Sequence, residues 1–465
     1  MNTAGNSPGS SALNIEDILG SKISKVSVIV MILCFCILLM DGYDYGIISN
    51  ASPLIMKEWN IEAAMFGPVF SVATFGWMIG AVVFGAISDR IGRKGTLLIG
   101  AAIFTVLSLC LYFSRTLSQL VIIRLITGFG VGGAVPVAMT MTSEYAPQNS
   151  KAKFVSIMFS GFMVGSTLGS YIAAGMMPAY GWRSIFLLGF IIPIPVIVCL
   201  AIFLPESARW LSLNLNTPQR RETLIRIVKR ISPDLQIDDT TQFVAIKTEK
   251  KKEKYSPKEL FAGKLAWVSP MLWLYYIISS LAVFFIGNWM PQVLVLKGLT
   301  AAHASSLMGT SGLFGILGTA LIGVWLDKMG FRWGFIWPLL AILFTALTGG
   351  ATGGILLVWM CINSFFMNGE HTSITSIVPN MYPVRIRAKG SGISNALAKI
   401  GSIIGPVIGG ILISTGISMS KLFYFVSIPF IFCAVFSYVL GVQYDRHFSK
   451  LYSSGEQTPS EAPHS

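Results

Sequence analysis

The chain is 465 residues long, 53% hydrophobic and only 12% charged, with a mean hydropathy of +0.68. Soluble domains carry about a quarter charged residues, so this composition excludes a water-soluble enzyme, a disordered chain and a fibrous repeat. The formal net charge of +13 is weak support for nucleic-acid binding, because membrane proteins concentrate Lys and Arg in cytoplasmic loops.

Residues 1–24 are polar and Gly/Ser-rich, with one short amphipathic piece at 13–18. Twelve apolar runs follow, at about 26–48, 64–87, 96–113, 117–142, 153–178, 184–204, 267–291, 304–326, 333–350, 353–377, 390–414 and 421–443. The first is too long for a signal-peptide core and no small-residue cleavage site follows it, so it reads as a retained span. The runs are continuous, unlike the alternating strands of a barrel, and near the ~20 residues a helix needs to cross a bilayer. Cys34, Cys36, Cys110, Cys199, Cys361 and Cys433 all lie inside them without zinc-like spacing, and read as buried thiols outside any disulfide.

The loops after the second, fourth, eighth and tenth spans carry Arg90, Arg93, Lys94, Lys151, Lys153, Lys328, Arg332, Arg385, Arg387 and Lys389. The opposite side offers scattered Lys57, Arg115, Arg183, Lys297 and Lys421, so both termini are expected in the cytoplasm. The middle loop holds Arg220, Arg221, Arg226, Lys229, Arg230, Lys247, Lys250, Lys251, Lys252 and Lys254. It reads either as a surface for anionic headgroups or as a solvated linker obeying the same charge bias. The expected architecture is an all-α membrane protein of twelve transmembrane helices. A tail (1–24) and a six-helix bundle (25–204) are joined by the basic linker (205–265) to a second six-helix bundle (266–444) and a tail (445–465).

The residues Gly85-Ala-Ile-Ser-Asp89-Arg90-Ile-Gly92-Arg93-Lys94 recur, degenerate, as Gly323-Val-Trp-Leu-Asp327-Lys328-Met-Gly330-Phe-Arg332 six spans later. Duplicated halves with a midplane site between them mark a secondary transporter. Asp89 is placed to cap a neighbouring helix N-terminus, and Arg90 or Arg93 to pair with Glu144. Gly85 would let helices approach closely. Together they read as a conformational latch, with Asp327, Arg385 and Arg387 as gating residues of the second half. The Gly128–Gly133 run lies inside an apolar span with no preceding strand, which excludes a dinucleotide loop. It reads as small residues for helix packing.

Asp41 and Asp44 share a helix face. A carboxylate in a span escapes its desolvation cost by protonation or a cationic partner. Counted from the span ends, Asp44 lies about four residues and Arg124 about seven residues inside the outer surface, within a turn of each other. The pair is either a proton carrier with an anion dock or a structural ion pair at a helix end. Arg binds a carboxylate with two parallel hydrogen bonds. Lys399, near mid-membrane, needs a buried anion: Glu370, an Asp or a substrate. Glu370 and His371 point about 100° apart on a helix, so one faces the cavity, as a proton relay or as a partner of Lys399. Tyr43, Tyr45, Tyr275, Tyr276, Trp289, Phe365 and Phe366 either stack on a planar ring or simply pack.

These motifs resemble the major facilitator superfamily along nearly the whole chain. The Gly85–Lys94 stretch is similar to its loop signature, and Leu204-Pro205-Glu206-Ser207-Ala208-Arg209-Trp210-Leu211 to the Pro-Glu-Ser motif of its organic-solute branches. Within it, Asp41-Gly42-Tyr43-Asp44 at the end of span one resembles the hallmark of the aromatic acid:proton symporter family. Arg124 with Gly128, Gly130 and Gly132, and Gly287-Asn288-Trp289-Met290-Pro291, are similar to that family as well. Glu370-His371 and Lys399 depart from it. The resemblance implies a proton-coupled symporter of the cell inner membrane, not an enzyme. It would import small aromatic carboxylates such as benzoate or a hydroxybenzoate by alternating access. Asp41, Asp44, Glu370 and His371 would couple protons, and Arg124, Asn288, Trp289, Lys399 and Tyr43 would bind substrate. The proton gradient supplies the energy, with no cofactor and no metal. The partners are the anion, protons and membrane lipid, around a monomer. The competing readings are a carrier of non-aromatic mono- or dicarboxylates, a sugar or neutral-solute permease, and a non-transporting sensor.

Overall fold

The computed structural model describes residues 12–20, 23–233, 235, 241–244, 256–383 and 385–448. Each of the twelve apolar runs is helical. They are α1 (Lys25–Trp59), α2 (Ala63–Ile91), α3 (Arg93–Tyr112), α4 (Leu117–Tyr145), α5 (Lys151–Tyr180) and α6 (Arg183–Phe203), then α7 (Leu265–Leu296), α8 (Ala301–Met329), α9 (Ile336–Gly350), α10 (Gly353–Met381), α11 (Arg387–Ser414) and α12 (Met419–Gln443). Among the described residues, eleven helices are both long and apolar enough to cross a membrane. The exception is α10, which has the length, 29 residues, but carries Asn363, Asn368, Glu370 and His371.

Helix α1 starts at a capping box, with Ser24 and Ser27 bonding each other's backbone N–H. It stops at Asn60, whose φ of 51° is left-handed. It thus runs well past the expected end near residue 48. Ser49, Asn50 and Ser52 end the apolar pattern, yet all three are buried because each has a partner. Asn50 Nδ2 donates to Gly46 O and Ser170 Oγ at 2.7 and 2.9 Å. Ser52 Oγ donates to Ser49 O at 2.8 Å.

Within each half the helices pack on glycine faces. A Cβ at Gly76 or Gly80 of α2 would overlap the α4 backbone at Leu125 and Phe129, and one at Gly42 of α1 the α5 backbone at Phe162. The Gly128 and Gly132 reading holds in the same way, against Ala73 and Trp77. The reading of Gly85 does not: a Cβ there meets nothing within 4 Å. The outer surface is apolar, with Val82 77% and Ile202 66% exposed, as lipid contact requires. Cys110 is exposed on α3, against the expectation that all six thiols are buried; all six are free.

The halves meet through α2 on α11, α5 on α8 and α1 on α7. Four of their contacts gather at the end away from the Asp89 and Asp327 loops. Ala64 N–H donates to Ser414 Oγ at 2.8 Å and Ser71 Oγ to Ile403 O at 2.5 Å. The Tyr171 and Thr310 hydroxyls share a bond of 3.0 Å. Ser49 Oγ lies 2.9 Å from both the Gly287 and Asn288 carbonyls. That end is closed.

The linker is not merely solvated chain. Strand β1 (Ala12–Asn14) pairs in parallel with β2 (Gln242–Val244), Leu13 opposite Phe243, an element absent from the sequence reading. The amphipathic piece near residue 13 forms a helix, Ile15–Gly20, that buries Ile15, Ile18 and Leu19. The helix Pro218–Ile231 buries Leu224, Ile227, Val228 and Ile231 and leaves Arg226, Lys229 and Arg230 exposed. Glu16 pairs with Arg209 at 3.6 Å. Lys247, Lys250, Lys251, Lys252 and Lys254 lie outside the described residues.

Candidate functional site

Gly42 brings α1 against α5, and two residues on, in the same turn, Asp44 meets Arg124 of α4. Arg124 Nη1 meets Asp44 Oδ2 at 2.5 Å. The pair is not at the end of α1. Because α1 runs on to Trp59, Asp44 stands near its middle, while Arg124 lies about two turns into α4. Both side chains are buried, at 9% and 4% exposure. Asp44 Oδ1 and Arg124 Nε have no hydrogen-bond partner. A buried pair that leaves a carboxylate oxygen and a guanidinium N–H unsatisfied is incompletely compensated for its desolvation. That is a site able to accept another charged group.

Asp41, one turn earlier on the same face, is half-buried and within electrostatic reach of Asp44, Arg124 and Lys399. Lys399 comes from α11, in the other half. Its Nζ sits 4.1 Å from the centroid of the Trp77 ring, a cation–π contact across the seam. Of the anions considered for Lys399, Asp41 is the one within electrostatic reach, and Glu370 is not its partner. Glu370 is fully buried inside the second half, where Ser279 Oγ donates to its Oε2 at 2.9 Å, with Tyr275 and Cys433 beside it. His371 Nδ1 is 2.9 Å from the same Ser279 Oγ, and its ring lies 5.7 Å from that of Tyr276. The two residues share one serine on α7, and of the pair only His371 keeps exposed surface, Glu370 having none.

Three residues expected on substrate have their polar atoms committed to backbone carbonyls. Tyr43 is 5% exposed and donates its hydroxyl to Ile185 O at 2.8 Å, tying α1 to α6. Trp289 is fully buried; its indole N–H donates to Pro406 O at 2.8 Å and its ring meets Phe70 edge-on at 5.2 Å. Asn288 Nδ2 donates to Phe284 O, and its own carbonyl accepts from Ser49. Trp289 and Asn288 are parts of the closed end. Phe365 and Phe366 pack on Trp337 and Phe344 inside the second half. Away from the closed end, rings that meet the other half are Tyr45, between Phe162 and Phe284, and Trp77, under Lys399. Trp77 and Ser279 escaped the sequence reading. A tryptophan midway along span two was the one legible hint.

The latch is built differently from expectation. Glu206, of the Pro-Glu-Ser motif, caps α3: its carboxylate accepts from Arg93 N–H at 2.8 Å and from Lys94 N–H at 3.2 Å. Asp89 instead pairs with Arg93 at 3.1 Å, and its carbonyl accepts from the Trp210 indole at 2.9 Å. Glu144 accepts from Ser207 Oγ, with Arg93 within electrostatic reach rather than in a direct bond. Arg90 is exposed. In the second copy Asp327 is exposed, Gly330 keeps the positive φ of Gly92, 84° against 94°, and Arg385 pairs with Glu259 at 3.2 Å. Arg387 Nε approaches Tyr382 O at 3.5 Å. Among the described residues no group of three His, Cys, Asp or Glu side chains is placed to hold a metal ion.

Two six-helix halves around a charged seam define a membrane transporter rather than an enzyme. The family model described as "Major Facilitator Superfamily" matches residues 34–320 and 272–460. The gallate transporter of Pseudomonas putida is 29% identical, over 91% of this chain and 94% of its own. The 4-hydroxybenzoate transporter PcaK of Pseudomonas putida is 30% identical, over 90% and 93%. A crystal structure of a D-xylose-proton symporter superposes with a TM-score of 0.67 at 17% identity, covering 91% of this chain and 98% of that one. The chain belongs to the major facilitator superfamily, and its resemblance to the aromatic acid:proton symporter family agrees with these relatives.

Proposed function

We propose that the chain imports small aromatic carboxylates together with protons, with Arg124 as the anion dock and Asp44 and Asp41 as proton carriers. The observation that carries this is the buried Asp44–Arg124 pair with a free polar atom on each partner. In the empty state the guanidinium leans on Asp44. Protonating Asp44 removes that negative charge, and a substrate carboxylate takes its place with two parallel hydrogen bonds. Loading the proton without the anion, or the anion without the proton, leaves an uncompensated buried charge. Proton and anion thus move together, and one proton per monoanion is electroneutral.

The aromatic preference is supported by the names of the relatives, gallate and 4-hydroxybenzoate transporters, and by the rings of Tyr45 and Trp77 in the seam. A second reading, a carrier of dicarboxylates, draws on Lys399 as a further seam cation. The protein works as a monomer in the cell inner membrane, with both termini in the cytoplasm, so the closed end faces outward. Uptake of labelled 4-hydroxybenzoate, muconate and glucose into proteoliposomes under an imposed pH gradient tests this. Gradient-driven accumulation of the aromatic acid alone is expected. Preference for muconate moves the assignment to the second reading, and accumulation of glucose overturns both.

A further inference from the structure

The Ser279 hydroxyl stands between two titratable groups of α10. Its Oγ is 2.9 Å from Glu370 Oε2 and 2.9 Å from His371 Nδ1. Ser279 and Glu370 are both fully buried, whereas His371 is half-buried and within electrostatic reach of the seam cation Lys399. A hydroxyl has one proton to donate, so the serine donates in only one of the two bonds. When Glu370 is a carboxylate, the serine donates to it and accepts from a protonated Nδ1. When Glu370 is a carboxylic acid, it donates to Oγ, and the serine donates to a bare Nδ1. The direction of both bonds is therefore set by which end of the triad holds the proton. Glu370 Oε1 has no hydrogen-bond partner. The other titratable groups around the pair are Tyr275 and Tyr276 of α7, Cys433 of α12 and Lys399 of α11. Helices α8 and α9 contribute none among the described residues.

The geometry points to Ser279 as the proton relay between His371 and Glu370, giving the second half a proton site apart from the Asp41, Asp44 and Arg124 cluster, an inference that rests on the proton-coupled reading above. In transfer outward from Glu370, the acid O–H bond breaks and its proton bonds to Ser279 Oγ. The serine's own proton passes to His371 Nδ1. The products are a carboxylate, a regenerated serine and an imidazolium, with charge conserved. Glu370, having no exposed surface, reaches the seam through the serine.

Two rates measured on the same proteoliposomes test the relay: proton-driven accumulation of labelled 4-hydroxybenzoate, and gradient-free exchange of labelled for unlabelled compound. Ser279→Ala should lower the ratio of accumulation to exchange by about tenfold, the effect of losing one hydrogen bond to a charged group. Its pH profile should match that of Glu370→Gln. Ser279→Thr, which keeps a hydroxyl, should restore most of the ratio. The Ser279→Ala, Glu370→Gln double variant should be no worse than either single one, as for residues acting in one chain of transfer. An unchanged ratio in Ser279→Ala, or losses that multiply in the double variant, overturns the relay. NMR titration of the His371 ring, assigned by its loss in His371→Gln, gives a readout independent of substrate. Ser279→Ala should move that titration by about half a pH unit or more, and an unmoved titration overturns the relay. A native protein that neither accumulates nor exchanges the compound fails the substrate reading, and the relay is then decided by the histidine titration alone.

Discussion

Asp44 and Arg124 satisfy each other only in part, and that residue-scale fact makes unequal demands on their substitutions. Asp44→Asn leaves a buried guanidinium without its counter-charge, which costs about 3–5 kcal/mol. Replacing both partners by neutral groups removes the problem. Asp44→Asn should therefore lower the unfolding midpoint in detergent more than the Asp44→Asn, Arg124→Met double variant does. Equal or larger loss in the double variant would show that the pair stabilises the fold outright. Arg124→Lys keeps the charge but not the planar fork, so equilibrium binding of 4-hydroxybenzoate should weaken by about 1–3 kcal/mol. The amide of the same acid should distinguish little between native and Arg124→Ala. If Arg124→Ala binds the acid as tightly as native protein, Lys399 becomes the leading anion site. The residue types were legible in the sequence, because a charge in an apolar run is conspicuous. Their directions were not: Tyr43, Asn288 and Trp289 sit in the right motifs, yet their polar atoms are spent on the backbone at Ile185, Phe284 and Pro406.

At the scale of elements, the cap of α3 comes from a carboxylate more than a hundred residues away in the chain. Glu206 closes the first turn of α3, and Tyr145 donates its hydroxyl to the Glu206 carbonyl at 2.6 Å. Loss of such a cap costs about 1 kcal/mol, and more where the dipole is partly buried. Glu206→Gln should slow transport more than Asp89→Asn, whose carboxylate is 74% exposed, while ligand binding by either variant stays near native. A larger rate loss in Asp89→Asn would return the latch to the loop signature. Lys297, at the outer end of α7, donates from Nζ to the carbonyls of Thr348, Gly349 and Ala351 at 2.8–3.1 Å, closing the C-terminus of α9. Lys297→Met should lower the unfolding midpoint by several degrees, and an unchanged midpoint would show that water replaces the ammonium without cost. Helix number and order were legible from composition, since about 20 apolar residues in a row admit few alternatives. The reach of α1 was not, because Ser49, Asn50 and Ser52 read as the start of a loop until their buried partners on α1, α5 and α7 are seen.

On the scale of the whole molecule, the halves are stitched at one end, and transport requires those stitches to part. Cysteines at Ala64 and Ser414, whose backbone N–H and hydroxyl are 2.8 Å apart, should crosslink with a short thiol reagent. Crosslinking should stop transport, and reduction should restore it, with single-cysteine variants unaffected. Undiminished transport by the crosslinked protein would place the moving gate elsewhere. The duplication of Gly85–Lys94 in Gly323–Arg332 announced two halves, and the recurring positive φ at Gly92 and Gly330 shows why glycine returns in both copies. Nothing in the sequence announced the pairing of Ala12–Asn14 with Gln242–Val244. That pairing also orders biosynthesis. The ribosome makes the first strand before the first of these twelve spans, and the second after the sixth. Leu13, whose strand partner is Phe243, therefore waits until all six spans of the first half have been synthesised, so the short sheet ties the chain ahead of the first bundle to the linker behind it.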